Sequence, residues 1–309
     1  MFDAGRERVS ALSGVSFSVG AGEITGLLGS NGAGKTTLTR ILSTLLLPSS
    51  GTALVLGRDV VREARAVRAS LSVILGGERG LYGQLSAREN LRFFGMLDGL
   101  GHRALLARID GALEEAGLAQ AADRRVAGFS RGMKQRLHLA IGLISRPAVL
   151  LLDEPTVGLD PVEAARLRQS IAGLRQRGVS VLLTSHYLTD IEQLADQVVM
   201  LERGRVTHRL TVAQFAASVG YAAVVVLRGT GPLPGTGSLG PAGLVSCETE
   251  QAGERWTVTL RLRAWSAEIF AALGSALSGV QVDDMEISPA RLDDAFLRLH
   301  AAAPPLTGR

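Results

Sequence analysis

The fold is decided by one stretch of the sequence, Gly29-Ser30-Asn31-Gly32-Ala33-Gly34-Lys35-Thr36. An apolar run, Ile24–Leu28, precedes it, and a run compatible with a helix follows from Thr37 to Leu47 and ends at Pro48. A glycine-rich loop between a buried strand and a helix is the P-loop pattern, in which backbone N–H groups surround phosphate oxygens. The sequence therefore predicts an α/β protein with a P-loop NTPase core.

The loop assigns a first set of binding residues. We expect the Lys35 ammonium to reach the β- and γ-phosphates of ATP and the Thr36 hydroxyl to bind Mg²⁺. Lys35 and Lys134 are the two lysines among 33 basic residues, and a compact ammonium suits a phosphate cradle better than a planar guanidinium. The residues predicted to contact the nucleotide here are Gly29, Ser30, Asn31, Gly32, Ala33, Gly34, Lys35, Thr36 and Thr37.

A second stretch, Leu150-Leu151-Leu152-Asp153-Glu154, reads as a buried strand that ends in two acids. Such a strand brings its carboxylates to the same edge of a parallel sheet as the P-loop. Asp153 is the candidate Mg²⁺ ligand. Glu154 is the candidate catalytic residue that accepts a proton from, or orients, the water attacking the γ-phosphate.

Short apolar runs alternate with amphipathic stretches over residues 1–209, as in an α/β domain. The predicted strands are Val15–Val19, Ile24–Leu28, Ala53–Leu56, Leu71–Leu75, Val149–Leu152, Val179–Thr184 and Gln197–Leu201. These strand signals stop over about residues 82–146, where three helical segments predict an α-helical subdomain inserted in the core. Ser86 and Glu89 have the spacing of a capping box at the first of these helices.

The charge balance turns from net basic to net acidic near Gly204 to Thr211, where we place a domain boundary. Residues 210–309 are expected to form a small α+β C-terminal domain. Its predicted strands are Ala222–Leu227 and Trp256–Leu262, with a Gly/Pro-rich loop over residues 229–243 between them. Ser288-Pro289 is expected to begin a helix that carries Leu292, Ala295, Phe296 and Leu299 on one face.

Composition excludes several classes of protein. The chain has 309 residues, of which 46% are hydrophobic, so global disorder is excluded. The single cysteine, Cys247, excludes a disulfide framework. No apolar stretch reaches the roughly 18 residues of a membrane span, so a soluble, intracellular protein is expected. The net charge of +4 is modest, and nucleic acid is not expected as a partner.

A third stretch points to a known family. Phe129-Ser130-Arg131-Gly132-Met133-Lys134-Gln135-Arg136, which precedes the strand ending in Asp153 and Glu154, resembles the signature motif Leu-Ser-Gly-Gly-Gln of ABC transporter ATP-binding subunits. Ser130 and Gly132 match that motif, whereas Phe129, Arg131 and Met133 depart from it. The resemblance, which covers nearly the whole chain, implies that Ser130 and Gly132 bind the γ-phosphate held by a second ATP-binding subunit.

Further family motifs follow in the expected order. Gly158-Leu159-Asp160 resembles the D-loop that couples the two sites of a dimer, and His186 resembles the switch histidine that senses the γ-phosphate. Lys35, Glu154 and His186 are thus the expected catalytic residues. Gly77 stands where the family's Q-loop usually has Gln, so that role is lost, met by backbone or moved to Glu78. Phe2 is the candidate for stacking on adenine.

Near the chain's end, residues 288–297 resemble the C-terminal extension of drug and antibiotic exporters of the daunorubicin-resistance type. The resemblance implies an ATP-binding and hydrolysing subunit at the cytoplasmic face of the cell membrane. It would power efflux of a drug, antibiotic or lipid-like substrate through a separate polytopic permease, with a second ATP-binding subunit, expected to be an identical copy. Two alternatives stay open: a soluble ABC-type ATPase acting on ribosomes or DNA, and an importer. The sequence does not identify the cargo.

Overall fold

A computed structural model describes residues 10–75, 80–234, 243–290, 292 and 294–296. Phe2, Gly77, Glu78 and Leu299 lie outside the described residues, so their predicted roles stay predictions. Contacts between Cα atoms divide the chain into two compact units, with the division between Val212 and Ala213. Within the described part of the chain, no helix combines the length and the apolar character needed to cross a membrane.

The first unit contains a mixed main sheet and a separate pair of short strands. The strands of this unit are β1 (Ile24–Leu28), β2 (Leu54–Val55), β3 (Arg58–Asp59), β4 (Leu71–Leu75), β5 (Val149–Asp153), β6 (Ser180–Thr184), β7 (Gln197–Glu202) and β8 (Arg205–Thr211). Its helices are α1 (Lys35–Leu42), α2 (Ala64–Arg68), α3 (Ala87–Leu97), α4 (His102–Glu115), α5 (Arg131–Leu143), α6 (Pro161–Ala172) and α7 (Leu188–Leu194). Short 3₁₀ turns lie at Ala119–Ala121, Val126–Gly128 and Arg175–Arg177.

Six strands form the main sheet in the order β4-β5-β6-β1-β7-β8. All neighbours run parallel except β7 and β8, and β2 pairs separately with β3. All five residues of β1 are buried, as are those of β6, which explains their continuous apolar sequence. The predicted α/β class with a P-loop core is confirmed.

The strand order positions the candidate site. The P-loop follows β1, Glu154 follows β5, and His186 lies shortly after β6. Because β5, β6 and β1 are consecutive in the sheet, their carboxyl ends adjoin at one edge. Parallel sheets bind ligands outside these carboxyl ends, so three short loops converge where a nucleotide would bind.

Helices α3, α4 and α5 lie in the segment of about residues 82–146, for which the sequence predicted no strands. The predicted capping box at α3 is present, since Ser86 Oγ accepts a hydrogen bond from the Glu89 N–H and Glu89 accepts one from the Ser86 N–H. The three helices share a separate core that includes Leu91, Leu105 and Leu137, each fully buried.

The second unit has its own sheet and core. Its elements are α8 (Val212–Ala217, which begins at the division), β9 (Ala223–Thr230), β10 (Leu244–Ala252), β11 (Arg255–Leu262), α9 (Ala267–Ala276) and β12 (Gln281–Pro289). The sheet is antiparallel, in the order β10-β11-β9-β12. Its core includes Trp256 and Leu260 of β11 and Leu273 of α9.

Three sequence predictions about elements were wrong. Residues 15–19 form no strand; their apolar side chains pack on the core of the first unit without joining a ladder. Helix α1 ends at Leu42 rather than Leu47, because Thr44 adopts a φ of 64° that a helix cannot continue through. Ser288 and Pro289 end strand β12, paired with β9, so the helical residues Leu292 and Asp294–Phe296 begin later than predicted.

Candidate functional site

The P-loop connects β1 to α1 through backbone that requires glycine. Gly34 precedes the helix with a φ of 108°, in the left-handed region that glycine enters without a steric cost. A Cβ on Gly29 would lie 2.2 Å from the carbonyl oxygen of Leu201, and one on Gly34 would lie 2.7 Å from that of Ala11. The loop therefore packs closely against Leu201 and Ala11 at these two glycines.

Lys35, the first residue of α1, points back into this loop. Its ammonium donates hydrogen bonds to the carbonyl oxygens of Gly29 at 2.6 Å and Ser30 at 3.1 Å, and the residue is 8% exposed. Burial lowers the pKa of Lys35 below its ordinary 10.5, while the carboxylates of Glu154 and Asp153 partly oppose this effect. The buried cation thus interacts with both acids at the carboxyl end of β5, Asp153 within the strand and Glu154 directly after it.

The two acids are anchored by Thr184, the last residue of β6, which pairs with Asp153 in the sheet. Thr184 Oγ1 donates a hydrogen bond to Asp153, and its carbonyl oxygen accepts one from the Glu154 N–H at 2.9 Å. Glu154 has a φ of 50°, an unfavourable conformation for a residue with a side chain. Strained backbone of this kind is concentrated at functional sites.

His186 lies beside Glu154. Its Nδ1 is 3.2 Å from Glu154 Oε1, and its ring packs 4.1 Å from that of Tyr187. Both side chains are partly exposed, His186 by 43% and Glu154 by 32%. A proton on Nδ1 shared with the carboxylate leaves Nε2 available for a ligand. The predicted catalytic residues Glu154 and His186 are therefore in contact, which the sequence could not indicate.

One cleft collects most of the predicted nucleotide-binding residues. Its volume is about 640 Å³, within the roughly 300–1,000 Å³ typical of small-molecule sites. The predicted residues that line it are Asn31, Gly32, Ala33, Gly34, Lys35, Thr36, Thr37, Asp153 and Glu154. Gly29 and Ser30 contribute the carbonyl groups that hold Lys35. The cleft therefore combines a buried cation, backbone donors and two carboxylates, as phosphate chemistry requires.

Sequence reasoning missed other residues of this cleft. They are Ala11, Arg131, Lys134, Gln135 and Val157. Arg131 departs from the signature motif, and its Nη1 donates a hydrogen bond to the Gly158 carbonyl oxygen at 3.0 Å. Arg131, Lys134 and Gln135 belong to the octapeptide that resembles the signature motif, whereas no sequence signal indicated Ala11 or Val157.

The structure places Ser130, Gly132 and Asp160 at helix starts rather than in the lining of the cleft. Ser130 caps α5 by accepting a hydrogen bond from the Met133 N–H, and Asp160 caps α6 by accepting two, from the N–H groups of Val162 and Glu163. Gly132 is buried where a Cβ would lie 2.5 Å from Glu163 Oε2. Their predicted role toward a second subunit's nucleotide stays a prediction.

Comparison with known proteins identifies the family. Residues 12–157 match the family described as ABC transporter. The chain is 42% identical to the daunorubicin resistance ATP-binding protein DrrA3 of Streptomyces coeruleorubidus, over 94% of this chain and 90% of that protein. The chain belongs to the ABC transporter family. This membership confirms the predicted ATPase function.

Two further comparisons support the assignment to the ABC transporter family. The chain is 42% identical to the Nod factor export ATP-binding protein I of Neorhizobium galegae, over 63% of this chain and 56% of that protein. The structure of cbiO1 from Clostridium perfringens, part of the ABC transporter complex cbiONQ, superposes with a TM-score of 0.62 at 27% identity. That match covers 67% of this chain and 84% of cbiO1.

Proposed function

We propose that the chain is the ATP-binding and hydrolysing subunit of an ABC exporter that acts with a separate membrane permease. The observation that carries the proposal is the meeting of Lys35, Asp153 and Glu154 in one cleft, with His186 in contact with Glu154.

The P-loop would bind the phosphates of ATP. Its backbone N–H groups and the start of α1 offer hydrogen-bond donors and a favourable partial charge to an anion. An ammonium has three donors, of which two contact carbonyl groups of the loop, so Lys35 still has one for a phosphate oxygen. Burial of Lys35 strengthens its interaction with a bound phosphate, because water screens it little.

The oxygen atoms available in the cleft fit Mg²⁺. Thr36 is exposed in the cleft at the first turn of α1, and Asp153 reaches the same cleft from the end of β5. A hydroxyl and a carboxylate are the hard oxygen ligands that Mg²⁺ takes alongside phosphate oxygens and water. Thr36 and Asp153 would hold the ion, which supplies positive charge against the phosphates.

Glu154 is placed to act on the attacking water. It follows β5, faces the cleft, and its backbone is fixed by Thr184. As a carboxylate it would accept the proton that the water loses, or orient that water toward the γ-phosphate. His186 would hold the Glu154 side chain through Nδ1 and present Nε2 to the phosphate. Positioning and charge complementarity account for most of the catalysis in phosphoryl transfer.

A second ATP-binding subunit would complete each site. Ser130 and Gly132 lie at the start of α5, where a hydroxyl and backbone N–H groups suit an anion. Asp160 lies at the start of α6, and α5 and α6 are packed together. We infer a homodimer in which these residues of one copy face the nucleotide held by the P-loop of the other.

Export as the direction of transport rests on the relatives. DrrA3 is named for daunorubicin resistance and the Neorhizobium protein for Nod factor export, and DrrA3 is matched along nearly all of this chain. We infer efflux of a drug, antibiotic or lipid-like molecule, with the chain bound to a permease at the cytoplasmic face of the cell membrane.

The helical segment offers a surface for that permease. Tyr82 is 49% exposed and packs with its ring centroid 4.7 Å from that of Phe93. Its backbone is fixed by Asn90, a fully buried side chain that accepts a hydrogen bond from the Tyr82 N–H and donates one to its carbonyl oxygen. A rigidly held, exposed aromatic side chain is typical of the anchor residues of protein interfaces.

The test is the Glu154→Gln variant of the full chain. We expect ATP binding to persist while turnover falls by about 10² to 10⁴-fold, the usual contribution of a general base. Lys35→Ala is expected to lose nucleotide affinity instead. Wild-type turnover in Glu154→Gln, or unchanged affinity in Lys35→Ala, would contradict the proposal. Recovery of a polytopic membrane protein with the chain from detergent-solubilised membranes tests the transport role, and co-purification with ribosomes or DNA instead would overturn it.

A further inference from the structure

Asp190, in helix α7, is a fully buried carboxylate that the proposed reaction does not use directly. Its Oδ2 accepts hydrogen bonds from Ser185 Oγ, at 2.8 Å, and from Thr156 Oγ1. Its Oδ1 accepts one from Arg168 Nη1 at 2.9 Å. Thr156 is 4% exposed and Ser185 1% exposed, so this network is shielded from water.

The three donors come from three segments of the first unit. Thr156 lies two residues after Glu154, and Ser185 lies immediately before His186. Arg168 belongs to α6, whose first residues follow Asp160. A single carboxylate therefore connects the loop of the candidate base, the loop of the candidate switch histidine and the helix capped by Asp160.

Charge strengthens these contacts. Hydrogen bonds to an ionised carboxylate are shorter and roughly twice as strong as neutral ones, and burial strengthens them further. An ionised carboxylate accepts without donating, so the hydroxyl groups of Thr156 and Ser185 act as donors to Asp190. Ser185 Oγ also lies 3.2 Å from the Tyr187 carbonyl oxygen and accepts a hydrogen bond from the Tyr187 N–H at 3.0 Å. The network thus fixes the side-chain rotamers of Thr156 and Ser185 as well as the distance between their loops.

We propose, given the function proposed above, that Asp190 is a positioning residue that sets the distance between Glu154 and His186. The 3.2 Å contact between those two side chains spans two loops that are otherwise joined through Thr184 at the sheet edge. Asp190 adds a second point of attachment beyond the sheet, through Thr156 after Glu154 and through Ser185 before His186. Displacement of a catalytic group by about 1 Å can lower turnover by about 10²-fold.

The experiment removes single hydroxyl groups and leaves the carboxylate in place. Thr156→Val keeps the size of the side chain but cannot donate to Asp190, whereas Thr156→Ser keeps the hydroxyl. Ser185→Ala is compared with Ser180→Ala, a matched control at the other end of β6. Ser180 is also buried, and its Oγ donates to the Gly20 carbonyl oxygen and accepts from the Gly22 N–H.

For each variant, kcat and KM for ATP are measured on the full chain. The amount of nucleotide bound per chain gives the fraction of folded sites, and kcat is divided by that fraction. Thr156→Val and Ser185→Ala are expected to lower kcat per folded site by at least tenfold, with KM within about twofold of wild type. Thr156→Ser is expected to recover most of kcat, and Ser180→Ala to keep it. Combining Thr156→Val with Ser185→Ala should add little, because both act through Asp190.

A purely structural network would give a different result. It would lower the number of folded sites and leave kcat per folded site at the wild-type value, or affect Ser180→Ala as strongly as Ser185→Ala; either outcome overturns the proposal. Glu154→Gln, measured alongside, separates the two hypotheses. If Glu154→Gln abolishes turnover while Thr156→Val leaves turnover unchanged, the role proposed for Asp190 is wrong and the proposed function stands. If Glu154→Gln turns over normally, the proposed function itself is wrong.

Discussion

The Nδ1 atom of His186 lies 3.2 Å from Oε1 of Glu154, so the residues that follow β6 and β5 share one contact at the edge of the sheet. A carboxylate beside an imidazole fixes which ring nitrogen carries the proton and which is presented to a ligand. The pair thus links the group that would act on water to the group that would sense the γ-phosphate.

This contact predicts the effect of removing the imidazole. His186→Ala is expected to lower turnover by about 10- to 10³-fold. Glu154 loses the contact with Nδ1 that holds its side chain, and the γ-phosphate loses a hydrogen-bond partner. Affinity for ATP should change little, because the P-loop and Lys35 are untouched. Steady-state turnover together with equilibrium nucleotide binding provides the check. A large loss of affinity with normal kcat would instead place His186 in the binding of substrate.

The residues of the site differ in how far the sequence revealed them. The P-loop was predictable because its residues are adjacent in the chain. Its glycines are explained by the backbone conformation of the loop, and Lys35 and Thr36 by the phosphate and Mg²⁺ that they would bind. Glu154 was predictable because it follows a strongly apolar strand, whereas His186, which also lies after such a strand, was expected from its resemblance to the switch histidine. Their contact depends instead on the register that pairs Asp153 with Thr184, and no local pattern encodes that register.

The strands that the sequence missed have a polar face. Strand β8 alternates between exposed and half-buried residues, as expected at an antiparallel edge, and its charged residues conceal the pattern. Strands β10 and β12 lie at the edges of the second sheet and are mostly exposed. Strands buried on both faces, such as β1 and β6, were found, because burial leaves a continuous apolar run.

Replacement of Lys35 is expected to weaken nucleotide binding, even when the new residue is also a cation. Lys35→Ala removes the charge, and Lys35→Arg places a larger planar group where the side chain is 8% exposed and already holds two loop carbonyls. Both variants are expected to weaken nucleotide binding by at least about tenfold, which is a loss of one strong contact. Equilibrium titration with ATP measures this effect. Arg40→Ala, an exposed cation on the same helix, serves as the control and should bind as wild type.

The lowered pKa of Lys35 predicts two pH dependences of opposite sign. Between its folded pKa and the ordinary value of 10.5, the unfolded chain binds more protons than the folded chain, so the free energy of unfolding rises with pH. Over the same window nucleotide affinity should fall, because the neutral amine attracts phosphate weakly. Titrations at constant ionic strength test both trends. A variant with Lys35→Ala that showed the same slopes would assign them to another group.

Tyr82 is expected to matter for the permease but not for the isolated subunit. Tyr82→Glu places a charge on the exposed aromatic surface beside Phe93, which should disrupt an apolar contact. We expect loss of co-purification with the membrane partner and unchanged ATPase activity of the purified subunit. Val61→Glu, at a residue that is 47% exposed, controls for added surface charge. Retention of the partner by Tyr82→Glu would move the docking surface elsewhere.

Gly158 and Gly178 form a matched pair for testing the link between α5 and the loop before α6. Both have a φ of 71°, but a Cβ on Gly158 would lie 2.3 Å from Arg131 Nη1, whereas one on Gly178 meets nothing within 4 Å. Alanine at either position is expected to lower the free energy of unfolding by roughly 1–2 kcal/mol through backbone strain.

Gly158→Ala should cost about 0.5–1.5 kcal/mol more than Gly178→Ala, the value of a displaced hydrogen bond, because it forces Arg131 away from the Gly158 carbonyl oxygen. Denaturant unfolding measures both costs. The excess should vanish when Arg131→Ala is also present, since residues in direct contact do not contribute additively. An excess that survives Arg131→Ala would show that the loop before α6 is held by other contacts.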